Sequence, residues 1–245
     1  MDLEEKVVHA KELISNALKE YPRVAVACSF GKDSMVTVDI ARQVDPKIKV
    51  FAIMTQYKPA ETFNYLRRMN SKMGLNVTVY IVADSVPELL QNGKDNLDVR
   101  LLPLNEFNEK SAKVHADTGQ PIYKVDPDEC CRLLKVDPTK IAVSSLDVWI
   151  TGLRNTEGRT RTDYQEVEHK GGLIKVNPIL TFTETDIWKY MSTRGIEPHA
   201  WYGKGYRSLG CEPCSNPGGE LERDGRWQDT SKCGGECGIH TQVLK

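Results

Sequence analysis

The chain has 245 residues, 40% apolar and 27% charged, with a formal net charge of −1. That length suits one sizeable α/β domain with a tail, or two small domains. The even charge balance gives no case for nucleic acid or a membrane as partner, although a local basic cluster can still hold a small anion. Residues 3–20 carry an amphipathic helix pattern with charges throughout and no signal-peptide core. RVAVAC (23–28) reads as a buried strand because it is short, β-branched and unbroken. A helix is predicted over 34–43, a second strand at KVFAIM (49–54), a helix over 59–73 with Pro59 near its first turn, and a third strand at NVTVYIV (76–82). Between 84 and 128 the pattern weakens and assigns no element. DVWITGL (147–153) and LIKVNPIL (173–180) read as fourth and fifth strands, followed by a helix over 183–195 with Thr183 as N-cap and Gly195 as its end. No run approaches the ~18 apolar residues of a membrane helix, so the expected location is the cytoplasm.

Strands alternating with helices predict an α/β fold with a doubly wound, mostly parallel sheet over residues 1–195. From 196 to 245 Gly, Pro, Cys and charge dominate without periodicity, which predicts an irregular C-terminal tail lying on that domain. Sheets of this kind take ligands at the carboxyl ends of their strands. SFGKDS, Ser29 to Ser34, lies at such an end, between the first strand and its helix. Gly31 is suited to a sharp turn that presents amides to an anion, the helix start adds a positive dipole end, Ser29 and Ser34 offer hydroxyls, and Lys32 offers charge. Phosphate, pyrophosphate or sulfate would fit, and the Walker A pattern is absent. The bland alternative is a capped strand–helix turn. With Asp33 included, the loop resembles the S-x-G-x-D-S element of the PP-loop superfamily, whose Rossmann-like fold is the adenine nucleotide α-hydrolase type. That group includes ATP pyrophosphatases and the adenylyl-sulfate and phosphoadenylyl-sulfate reductases, and the loop alone does not choose among them.

The seven cysteines stand at 28, 130, 131, 211, 214, 233 and 237. In a cytosolic chain a clustered set points to metal or redox chemistry before a disulfide framework. Cys130 and Cys131 are adjacent, and Cys211 and Cys214 form a C-x-x-C. Adjacent cysteines fit poorly on one tetrahedral zinc, whereas a cubane shares neighbouring thiolates among several irons, so ligand geometry favours [4Fe–4S] over zinc. A redox disulfide in the C-x-x-C is a third reading. Cys28, at the end of the first strand, reads as a small buried apolar residue. Cys237 lies between Gly235 and Gly238 near the end of the sequence, which predicts a mobile, exposed thiol rather than a structural one.

Taken together, CCRLLK, GCEPC, ITGLR (150–154), GRW (225–227) and ECGIH (236–240) resemble the blocks of iron–sulfur adenylyl-sulfate reductases, over about residues 23 to 240. The resemblance implies that Cys130, Cys131, Cys211 and Cys214 hold a [4Fe–4S] cluster of structural and electrostatic rather than electron-carrying role. It implies that Cys237 attacks the sulfur of adenylyl sulfate, releases AMP and becomes a cysteine S-sulfonate, from which thioredoxin or glutaredoxin releases sulfite in sulfate assimilation. The cluster cysteines favour adenylyl sulfate over phosphoadenylyl sulfate (PAPS), with dual specificity as the alternative. A PP-loop adenylyltransferase or ATP pyrophosphatase is the reading from another class, and a non-catalytic nucleotide-binding protein is the third. Such enzymes often self-associate, so a homo-oligomer is a state to test.

A thiolate approaching a dianionic phosphosulfate is repelled by a few kcal/mol at intermediate dielectric, on the order given by Coulomb's law, so cations are required. The candidates are Lys135, Arg154, Arg159, Arg161 and Arg226, with His240 three residues past the nucleophile. Lys135 would stand about one helical turn from Cys131. His115, His169 and His199 show no ligand spacing. Two features depart from the family. The Asp-Thr-Gly element after the second strand is replaced by Thr55-Gln56-Tyr57 within MTQYKPAETF, and Cys233 precedes Cys237 by four residues. Cys233 reads as an incidental exposed thiol, or else as one that resolves the S-sulfonate by an internal disulfide.

Overall fold

A computed structural model describes residues 1–91, 96–158, 161–230, 232 and 238–243, with Lys170 described by its backbone alone. Helix α1 (Leu3–Glu20) opens on a reciprocal capping box, with the Asp2 carboxylate accepting from Glu5 N at 2.9 Å and Glu5 accepting from Asp2 N at 2.9 Å. It is followed by β1 (Val24–Ala27), α2 (Lys32–Val44), β2 (Lys49–Thr55), α3 (Ala60–Met73) and β3 (Thr78–Val82), the alternation expected from the sequence. Two further elements, β4 (Asp98–Leu102) and α4 (Asn105–Thr118), occupy the region where no pattern was legible. The reason is physical. β4 is an edge strand with Asp98, Arg100 and Leu101 exposed, and α4 buries only Phe107.

The chain then runs through α5 (Ile122–Val125), α6 (Pro127–Cys131), a π-helical turn (Arg132–Val136) and α7 (Asp137–Val143). β5 (Val148–Ile150) precedes the hairpin β6 (Val167–Lys170) and β7 (Leu173–Val176). Helix α8 (Glu184–Arg194) has the expected Thr183 cap, whose hydroxyl accepts from Asp186 N at 3.2 Å, and Gly195 ends it at φ 62°. The short helix α9 is Ile239–Gln242. Among the described residues no helix is long and apolar enough to cross a membrane.

The strand order is β4-β3-β2-β1-β5-β7-β6, parallel except for β6, which pairs antiparallel with β7. The chain winds outward from β1 on one side and returns to β5 on the other. The switch point between β1 and β5 is where such sheets open a crevice. Strand alternation sorts the two cores. Val24, Val26, Val50, Ala52, Val79, Ile81, Val148 and Ile150 face the large core with α1, α2, α3 and α8. Ala25, Phe51, Tyr80 and Trp149 face the opposite side, where Val136, Ala142, Val143 and Val243 meet them.

After α8 the chain forms short 3-10 turns, Ala200–Lys204 and Glu212–Cys214, and packs back on the sheet ends. Buried His199 anchors this return. Its Nδ1 accepts from Trp201 N at 3.1 Å, which leaves Nε2–H to donate to Thr62 Oγ1 at 3.1 Å. Burial, with the charge of Lys58, lowers its pKa from 6.5 to about 4. Between those values the unfolded chain binds a proton that the folded one refuses, so stability is expected to fall as pH drops from 6.5 towards 4. Urea unfolding across that window checks this, and His199→Gln should flatten the slope.

Candidate active site

A cavity of about 190 Å³ opens at the switch point, on the Phe51–Trp149 side of the sheet. Its floor is the Ser29–Ser34 loop with Phe51, Ile53 and Trp149; Lys135 and Thr139 form one wall, and Arg226, Trp227 and His240 close it. The loop follows the expected course with one change. Gly31 is extended (φ −86°) and N-caps α2, which starts at Lys32 rather than near Ser34. The left-handed residue is Phe30, at φ 61°, fully buried and edge-on to Tyr65 at 6.3 Å. Packing of the ring holds that strained backbone. Ser34 Oγ accepts from Ser29 N at 3.2 Å and donates to the Gly31 carbonyl at 2.9 Å, so both serines brace the loop. Cys28 beneath it is buried, and burial pushes its thiol up to about 11.

The loop after β5 touches this one closely. A Cβ on Gly152 would stand 2.9 Å from both Cα and N of Ser34. Neither backbone has slack, so Gly152→Ala is expected to cost about 1–3 kcal/mol through overpacking. It should also weaken nucleotide binding, as checked by thermal unfolding and AMP titration.

Beside the loop lies a buried charge network. Arg154 Nε donates to Asp33 at 2.5 Å and its NH2 to Glu222 at 2.5 Å. Lys32, 1% exposed, bonds Glu222 and the Arg207 carbonyl (2.9 Å) and lies 3.6 Å from Asp33. Glu157 pairs with Arg161 and, at 3.2 Å, with Arg223. The carboxylate oxygens of Asp33, Glu157 and Glu222 lie within 4.8 Å of one another. Burial pushes Glu157 up, but Arg161, Arg223 and Arg154 outweigh it and hold the carboxyl well below its usual range. Glu222 is pushed up, by burial and by Asp33 beside it. Among the described residues four cations, Lys32, Arg154, Arg161 and Arg223, thus meet three carboxylates beside the loop.

On the far side, Arg226 donates to the carbonyls of Leu209 (3.0 Å) and Cys214 (3.1 Å) and lies 4.2 Å over the Trp227 ring. His240 stacks on Trp149, ring centroids 5.8 Å apart and 7° from parallel. Gly238, at φ 84°, turns the chain against Val136. Cys130, Cys131, Cys211 and Cys214 are all buried and line a second, apolar cavity with Tyr57, Leu134 and Pro213. Lys135 lines both cavities. It stands within a π-helical turn, directly after the helix that carries the cysteine pair. Burial raises the Cys130 thiol, as do the neighbouring cysteines, with Lys135 opposing; Cys211 is lowered overall because Lys135 and Lys58 outweigh its burial. Arg159, Cys233 and Cys237 lie outside the described residues.

The phosphoadenosine phosphosulfate reductase domain matches residues 23–217, from β1 through the C-x-x-C. The chain belongs to the phosphoadenosine phosphosulfate reductase family. Curated members similar to it are the adenosine 5'-phosphosulfate reductases of Bacillus anthracis and Bacillus cereus. The first is 30% identical over 95% of this chain and 94% of its own length. The second is 31% identical over 98% of this chain and 93% of its own. The solved phosphoadenylyl-sulfate reductase of Candida auris, in a phosphate complex, superposes with TM-score 0.61 at 18% identity, covering 83% of this chain and 88% of that one. The FMN adenylyltransferase of Candida glabrata superposes with TM-score 0.59 at 11% identity, covering 99% and 74%. At such identities these two structures show the shared fold alone.

In this family member the structure gathers the loop residues, Lys135, Arg161, Arg226 and His240 around one cavity and sets Arg154 beneath the loop. Sequence reading missed Gly152, Glu157, Glu222 and Trp149. Glu222 carries no local signal, since its partners Lys32 and Arg154 are 190 and 68 residues away. Trp149 was legible only as a strand residue.

Proposed function

We propose that this protein reduces adenylyl sulfate to sulfite and AMP in sulfate assimilation, with electrons from thiols. The observation that carries the reading is that one cavity is shared by the anion-binding loop, by Lys135 from the wall of the cysteine quartet, and by His240, three residues from Cys237. Curated relatives named for this activity align along nearly the whole chain. In this scheme residues 1–195 bind the nucleotide, and 196–245 bring the C-x-x-C and the nucleophile to it.

The Cys237 thiolate attacks the sulfur of adenylyl sulfate. The Sγ–S bond forms as the bond from sulfur to the bridging oxygen breaks, and AMP leaves with that electron pair. A thiolate of thioredoxin or glutaredoxin then attacks Sγ, sulfite departs, and the partner's second thiol resolves the mixed disulfide, so the dithiol supplies both electrons. Lys135, Arg161, Arg226, His240 and, by resemblance, Arg159 offset the anionic charge of the substrate and of the leaving AMP. The amides at the start of α2 hold its phosphate. Lys32, Arg154 and Asp33, joined to Glu222, keep the loop in shape.

Cys130, Cys131, Cys211 and Cys214 fit a [4Fe–4S] cluster: all are buried and arranged around one apolar cavity. Adjacent Cys130 and Cys131 fit poorly on a single tetrahedral zinc and are better shared among the several irons of a cubane. When bound, the cluster would supply rigid cross-linking of the two cysteine pairs and a local negative charge balanced by Lys135. The quartet also favours adenylyl sulfate over PAPS. We place the protein in the cytoplasm, where thiol reductants are available.

Mass spectrometry of anaerobically purified protein mixed with adenylyl sulfate, without reductant, tests the reading. A sulfonate adduct on Cys237 is expected. Protein that stays adduct-free and consumes ATP instead would overturn it in favour of an adenylyltransferase or pyrophosphatase.

A further inference from the structure

The turn after β2, where the sequence departs from its family, has no part in the chemistry above. It is fastened on both flanks to the C-x-x-C loop. Thr55 Oγ1 lies 3.1 Å from Cys211 Sγ, and Glu212 N donates to the Tyr57 carbonyl at 2.8 Å. Lys58 N closes the turn onto the Thr55 carbonyl at 3.0 Å, and buried Pro59 fixes the next backbone angle and caps α3. Tyr57 packs away from the cavity, edge-on to Phe107 at 6.2 Å and Tyr123 at 5.3 Å, next to Cys130. Lys58, the next residue, is half-buried and lines the substrate cavity with Lys135 and Arg226.

Its position follows from topology. β2 is the neighbour of β1, so the turn after β2 stands beside the anion-binding loop after β1. Lys58 is near enough to Cys28, at the base of that loop, for its charge to act there. On the other side, Lys135 lines both cavities, and Lys58 follows three residues after Thr55, whose hydroxyl lies against Cys211 Sγ. Two ammonium groups thus flank the wall that separates the cysteine quartet from the cavity.

We propose that Lys58 is a substrate-binding residue that acts with Lys135 to hold the phosphosulfate group of adenylyl sulfate. The proposal rests on the adenylyl-sulfate reading and adds a cation that the family's blocks do not supply. Because the turn is bonded to Cys211 and Glu212, the C-x-x-C loop sets where this lysine stands.

Calorimetric titration of adenylyl sulfate into the full-length Cys237→Ser protein, purified anaerobically, provides the test, since this background binds without turning over. Adding Lys58→Met is expected to weaken adenylyl sulfate binding about ten- to a hundredfold, the worth of one charge-assisted contact. Adenosine, which lacks the anion, should bind within about twofold of the parent on the same scale. Lys58→Arg should restore most of the affinity for adenylyl sulfate, and iron content and far-UV dichroism should match the parent in both variants. Adenylyl sulfate bound equally well by Lys58→Met would overturn the proposal. So would equal losses for adenylyl sulfate and adenosine, which would mark Lys58 as structural. A parent that binds no adenylyl sulfate would sink the functional reading itself and the proposal with it.

Discussion

Cys237→Ser protein forms no sulfonate adduct and makes sulfite about a thousandfold more slowly or worse, the scale of loss when a covalent nucleophile is removed. Two independent reasons support this expected result. A serine hydroxyl is not ionised near neutral pH, so the attack on sulfur is lost. Even a sulfated serine would offer the reductant an O–S bond in place of the S–S bond that thiol exchange needs. AMP affinity should stay within about twofold of the parent, because the loop, Gly152 and the Arg154 network are untouched. The two measurements together separate a missing nucleophile from a damaged site. Undiminished sulfite production would remove Cys237 from the chemistry and make Cys233, four residues upstream, the first thiol to test.

Glu222→Leu is expected to destabilise the fold by about 3–5 kcal/mol, the usual cost of leaving buried charges without their partner. Glu222 is 7% exposed and accepts from Lys32 and from Arg154. Its loss leaves those two cations to share Asp33. Because Glu222 belongs to the returning tail while Lys32, Asp33 and Arg154 belong to the switch-point loops, the same change should loosen the tail over the cavity and weaken nucleotide binding. Urea unfolding measures the first effect and AMP titration the second. Adding Arg154→Met should cost much less than the sum of the single changes, since the two residues share one network. A single-variant loss under about 1 kcal/mol would show that water reaches these charges and screens them.

The elements that carry the site were legible where burial imposes a continuous or periodic pattern. β1, β2, β3 and β5 are buried on both faces and read as unbroken apolar runs, and α8 announced itself by Thr183 and Gly195. β4 and β6 lie at the sheet edges and α4 buries one residue, so no hydrophobic period marks them. The Ser29–Ser34 loop was legible as a motif, but its backbone was not: Phe30, rather than Gly31, takes the left-handed conformation, because packing against Tyr65 decides it.

By itself the sequence determined the fold class, the family and the place of the Ser29–Ser34 loop between β1 and α2, because each rests on short-range patterning or on residue types at fixed spacing. Only the tertiary structure decided which charges are partners. Lys32 and Arg154 looked like cations awaiting an anion, yet both are held by Glu222, and Lys58, which the sequence did not single out, lines the cavity with Lys135. Coulomb and hydrogen-bond partners are set by distance in space. In this molecule the decisive pairs join segments up to 190 residues apart, which no local pattern in a single chain records.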